Sequence, residues 1–157
     1  MVTDRSLRTL MDEYAESHRH PVNVLVHWIC VPVIFFCVVG FLGLVPGIPL
    51  WNAGMLRPDI LVIAAVSVYY LQRSFTLWAG VSLFAAICLW ISRWIVKQVP
   101  EQAWIVFTAL FVLAWTGQFI GHRIEGRKPS FLKDLQFLLI GPAWLLAKVY
   151  RRMSIRY

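Results

Sequence analysis

Apolar residues run along this chain in long blocks, and polar residues punctuate them. Residues 3–18 mix acids and bases, with Leu7, Leu10, Met11 and Tyr14 at helical spacing. That pattern predicts an amphipathic helix lying on a membrane surface or folded over it. Pro21 disfavours helical geometry at His20, so the lead-in ends near residue 20 and a new helix starts at the proline. Residues 22–44 form the first long block. A hydrocarbon core takes about 20 helical residues to cross, so this block is long enough. Pro32 removes one backbone hydrogen bond and predicts a kink near Trp28. The stretch V-P-G-I-P-L-W-N-A-G-M-L-R-P-D then reads as a loop.

The second block, residues 59–72, meets Gln72-Arg73-Ser74 early. One unbroken helix through both blocks would bury Arg73 in lipid, so a tight turn and a helical hairpin are expected, with the third block at 75–94. A polar loop from Arg93 to Gln102 precedes the fourth block, 103–121. Residues 131–149 are apolar again but contain Gly141-Pro142, which predicts a split interfacial or re-entrant segment. The expected fold is all-α: a single integral membrane domain, 1–157, of about four transmembrane helices. An N-terminal amphipathic helix and a C-terminal interfacial helix flank the bundle.

Composition supports a bilayer as solvent. Of 157 residues, 59% are hydrophobic, eight are Trp and ten Phe. The net charge of +7 lies beside apolar blocks rather than along a polar helix face. It therefore fits anionic headgroups, and nucleic acid is excluded as a partner. With four crossings, twelve of the fifteen Lys and Arg share the side that holds both termini, which predicts cytoplasmic termini. The first twenty residues hold no apolar stretch resembling a cleavable signal, and a bacterial inner membrane is the expected location. Cys30, Cys37 and Cys88 lie inside apolar blocks without C-x-x-C spacing and read as packing residues.

The candidate chemistry lies in the histidines. His18, His20 and His27 sit in Y-A-E-S-H-R-H-P-V-N-V-L-V-H, and His122 follows the fourth block. The predicted topology brings all four into one layer at the cytoplasmic face. Tyr14 and His18 share a helix face, as do Asn23 and His27, and Trp115, Gln118 and His122 form a stripe. Neutral imidazoles with open positions suit non-haem Fe(II) oxygen chemistry or catalytic zinc. Tyr14, Asn23 and Gln118 would then orient the ligands. Plainer readings stand beside these. His20 is either a fourth ligand or solvated. Glu125 either ligates or pairs with Arg123 and Arg127. Tyr14 and Trp115 also suit interfacial anchoring.

The Tyr14–His27 motif followed by V-P, together with Q-F-I-G-H-R-I-E-G-R-K-P-S-F, resembles the 2-hydroxy fatty acid dioxygenase family of small integral membrane proteins. The resemblance runs from about Tyr14 to Trp144. It implies an Fe(II)-dependent enzyme of α-oxidation that shortens 2-hydroxy fatty acids by one carbon with molecular oxygen. It carries the metal-ligand role onto His18, His27 and His122, with His20 as a further candidate and Glu125 as a candidate acid. The acyl tail would lie among the spans beside Trp28, Phe35, Trp115 and Phe119. Two rival functions remain: a non-catalytic lipid-binding membrane protein, and a zinc-dependent membrane hydrolase. The multi-histidine desaturases need about eight histidines for two irons, and this chain has four.

Overall fold

The computed structural model describes residues 7–50, 54–126 and 131–157. Among the described residues six helices occur in chain order: α1 (Leu7–Glu16), α2 (Pro21–Leu44), α3 (Pro58–Leu71), α4 (Phe75–Gln98), α5 (Ala103–Glu125) and α6 (Phe131–Arg152). The fold is all-α as expected, and within the loop between α2 and α3 lies one short antiparallel strand pair, β1 (Ile48–Leu50) and β2 (Gly54–Leu56). Gly54, at φ 85°, supplies the left-handed residue as the chain turns into β2.

Helix α1 buries Leu7, Leu10, Met11 and Tyr14, the four apolar positions of its predicted face. Helix α2 begins with proline at its first turn, and the His20 side chain accepts the Val22 N–H at 3.2 Å. It then continues through Pro32 to Leu44. Helices α2, α4 and α5 are long and apolar enough to cross a membrane, whereas α3 is apolar but short. Large apolar side chains face outward from all three long helices, among them Leu25, Ile29, Leu83, Trp90 and Leu113. Such outward apolar faces suit burial rather than water, as candidate membrane spans require.

The turn between α3 and α4 falls at Gln72–Ser74. Ser74 caps α4 by accepting the Leu77 N–H at 3.2 Å. Arg73 donates to the Tyr69 carbonyl at 3.0 Å and lies 3.8 Å over the Tyr69 ring, so its charge stays at the turn. Ser67 binds the hydroxyl of Ser82 at 3.1 Å and the Trp78 indole N–H at 2.7 Å, tying the two helices together.

Three boundaries differ from the sequence expectation. Helix α4 runs past Arg93 to Gln98, because Arg93 reaches Asp59 at 3.4 Å instead of ending the helix. Helix α5 runs past Gly121 to Glu125 and stops at Gly126, whose φ of 73° suits a left-handed cap. Helix α6 is unbroken through Gly141-Pro142. The glycine serves close packing there, since a Cβ on it would meet Val31 Cγ1 at 3.0 Å and the Tyr14 hydroxyl at 3.4 Å.

Helix α2 is the axis of the bundle. On one flank α5 approaches it closely: a Cβ at Gly117 would meet Cys30 Sγ at 2.7 Å, and one at Gly121 would fall on Asn23 Oδ1. Small residues four apart let two membrane helices come this near. On another flank Phe35 and Val39 pack with Ala85 and Cys88 of α4. Helices α1 and α6 close over one end, where Tyr14, Val31, Ile140 and Trp144 belong to the largest buried cluster. Cys30, Cys37 and Cys88 are free and buried, as packing residues would be.

Candidate metal centre

The turn at residues 17–20 folds the end of α1 back on the start of α2, which brings His18 and His27 together. Their ring centroids are 4.2 Å apart, and His122, at the end of α5, lies 5.2 Å from His18 and 5.0 Å from His27. One nitrogen of each ring lies within 4.8 Å of the other two, so the trio can hold a metal ion.

The hydrogen bonds fix which nitrogens are free. A carbonyl only accepts, so His18 Nδ1–H donates to the Tyr14 carbonyl and His27 Nδ1–H to the Asn23 carbonyl at 2.8 Å. In the neutral rings both Nε2 atoms are then bare lone pairs, and they face each other at 2.8 Å. Two lone pairs at that distance repel unless a cation lies beside them. A shared proton is disfavoured, because burial holds His18 down at about 4, with His122 reinforcing the effect and the Tyr14 carbonyl opposing it. A metal ion held beside the pair would satisfy both nitrogens. His122 Nδ1 is buried with no hydrogen-bond partner among the described residues, which leaves the third ring a donor to give as well. The residues present therefore fit a divalent transition metal held through neutral imidazole.

The surrounding residues position these rings. Tyr14 stacks on His18 at 4.0 Å and 14°, and Trp144 packs edge-on to Tyr14 at 5.2 Å. Asn23 is fully buried; its amide donates to the Ser17 carbonyl at 3.2 Å and to Glu125 Oε2 at 3.0 Å. Glu125 also accepts the backbone N–H groups of Arg19 at 3.1 Å and His20 at 2.9 Å. Its carboxylate thus sits at the N-terminus of α2, where the helix dipole favours an anion. Gln118 is buried on α5.

Several expectations change here. His20 is exposed and outside the metal-holding group, because its ring is the N-cap of α2. Glu125 is likewise outside that group, and its carboxylate accepts from backbone and Asn23 amides, while Arg127, its other suggested partner, lies outside the described residues. Phe35 lies on the α4 flank of α2, while Trp115 makes tilted ring contacts with Phe111 and Phe119 on α5, so these aromatics do not line one channel. Trp144 and Lys148 were not read from the sequence as site residues. Their spacing of four places both on one face of α6, and Lys148 Nζ rests 3.7 Å over the Trp144 ring.

A helical protein with apolar spanning-length helices and three converging imidazoles at one end defines a class, and the comparisons agree with it. The chain belongs to the Mpo1-like family, described as 2-hydroxy-palmitic acid dioxygenase Mpo1-like, whose model matches residues 5–153. Among curated proteins it is similar to the 2-hydroxy-palmitic acid dioxygenase MPO1 of Saccharomyces cerevisiae. The two are 26% identical over 145 residues, covering 89% of this chain and 77% of the yeast protein. No solved structure matches the chain.

Proposed function

We propose that this protein is an Fe(II)-dependent dioxygenase that shortens 2-hydroxy fatty acids by one carbon at a membrane face. The observation that carries the reading is the pair of bare Nε2 lone pairs on His18 and His27, joined by His122. The activity for which the family and the yeast relative are named supplies the substrate class. In this reading His18, His27 and His122 hold the metal. Tyr14 and Asn23 fix ring tautomers through their carbonyls, Glu125 fixes the α2 N-terminus, and Gln118 lines the buried side. When bound, Fe(II) supplies oxygen activation and a Lewis-acid anchor for an anionic head. The chain's own residues keep the ligands neutral, orient them and exclude bulk water from His27, which is almost fully buried. The conversion needs no reductant: a 2-hydroxy acid and O2 balance to the acid one carbon shorter, carbon dioxide and water.

The domain proposed is a single membrane unit. Helices α2–α5 cross, α1 and α6 lie at the interface, and both termini are cytoplasmic by the Lys and Arg bias. A shallow centre suits an amphiphile whose head stays at the interface while its tail remains in lipid. The test is to load purified protein anaerobically with Fe(II), confirm the bound metal, admit air and follow a 2-hydroxy fatty acid by mass spectrometry. The acid one carbon shorter is the expected product. Unchanged substrate with iron confirmed would overturn the activity, and turnover without oxygen would identify a hydrolase instead.

A further inference from the structure

A cleft of about 480 Å³ lies between α1 and the C-terminal end of α6. Its apolar walls include Met11, Trp144 and Ile155, and its cationic groups are Arg8, Arg151 and Arg156, with Asp12 the one acidic side chain among its lining residues. None of these three guanidinium groups makes a hydrogen bond or ion pair among the described residues, although guanidinium forks are suited to carboxylate and phosphate oxygens. Trp144 belongs to this cleft and also stands 5.5 Å from the His18 ring, so one side chain forms a wall of both places.

We infer that this cleft binds the anionic headgroup of a membrane amphiphile, carboxylate or phosphate, with the start of its alkyl chain against Met11, Trp144 and Ile155. Three guanidinium groups unpaired among the described residues, against the single carboxylate of Asp12, around an apolar floor match a charged head joined to hydrocarbon, where a polar solute would leave the floor unsatisfied. The cleft shares an end of the molecule with the histidines, and in the membrane reading that end lies at the headgroup layer, where such ligands are concentrated. The inference rests on the membrane reading but does not need iron at the histidines.

The experiment uses the full chain in a neutral detergent, titrated with decanoate, dihexanoyl phosphatidylglycerol, dihexanoyl phosphatidylcholine and inorganic phosphate. Decanoate, phosphatidylglycerol or both should bind at least tenfold more tightly than the zwitterionic lipid and the free phosphate. Whichever binds identifies the source of the head. Replacing Arg8, Arg151 and Arg156 together by Gln should weaken that binding tenfold or more. Arg152→Gln, on the same helix but outside the cleft, should not. If the triple variant does not fold, Arg151→Gln and Arg156→Gln singly should each weaken binding threefold or more. Binding should persist in His27→Ala, which separates the cleft from a carboxylate held at the metal. Equal binding of the zwitterionic lipid or of phosphate, loss in His27→Ala, or no loss in the arginine variants would overturn the inference. The metal content of each variant reports separately on the histidine centre.

Discussion

At His18 and His27 each Nδ1–H is spent on the carbonyl four residues earlier, so the opposite nitrogen has nothing left to offer but a lone pair. His27→Ala and His122→Ala should each abolish stoichiometric metal, measured by elemental analysis of purified protein, whereas His20→Ala should retain it. A ligand that binds only the folded state adds about 2.7 kcal/mol of stability at a hundredfold excess over its Kd, so metal should raise the Tm of wild type and not of His27→Ala. The metal-free protein should also be acid-sensitive. His18 is held down at about 4, so below about 6.5 the unfolded chain takes up a proton that the folded chain refuses. Stability is then level above that pH and falls as pH drops toward about 4, by on the order of 3 kcal/mol from this residue. A pH series of thermal unfolding, compared with His18→Gln, checks the sign.

At the scale of elements, the α2–α5 seam decides whether the site exists. Gly121→Ala would drive a methyl group into Asn23 Oδ1, and overpacking of this kind costs about 1–3 kcal/mol. The same shift should loosen metal, because Asn23 carries the His27 tautomer. Glu125→Gln keeps the shape but removes the anion from the start of α2. Losing a group that orients a ligand typically costs about 10–100-fold in metal affinity, so competition with a chelator should show a drop of that order with fold content unchanged. Much of this was legible beforehand. The spacing of Tyr14, His18, Asn23 and His27 already placed two polar pairs, each with one imidazole, on successive helices, and His122 at the far end of a spanning block put a third imidazole in their layer. His20 was harder: a histidine before proline has the same letters whether it ligates or caps, and only backbone direction separates the two. Arg93 and Gly141-Pro142 misled for a related reason. Breakers and charges stop a helix only when no tertiary partner takes them up, and Asp59 and Tyr14 are partners distant in sequence. Trp144 and Lys148 lay in a block whose apolar pattern gave no sign of which face would meet α1.

Across the whole molecule, the two ends carry different kinds of polar group. Opposite the histidines, Asp59 is fully buried and pairs with Arg57 at 3.2 Å and Arg93 at 3.4 Å, while Arg57 also donates to the Gly43 carbonyl at 3.0 Å. Asn23 and Gly43 are about 30 Å apart along α2, so the ends should act independently. Asp59→Asn should lower stability by about 1–2 kcal/mol, because both arginines are partly exposed, seen as a lower Tm with metal content untouched. A drop in metal would mean the ends communicate. The order in which the histidines occur along the chain has a further consequence. His122 comes from the last of the apolar blocks described as spanning-length, and Glu125, which secures the first of them, is made three residues later. During synthesis the centre can be completed only after that late helix has left the ribosome and docked on the early one. Cofactor capture would then wait for the last of the spanning-length helices, and a nascent chain stalled before residue 122 would lack both its third ligand and its clasp.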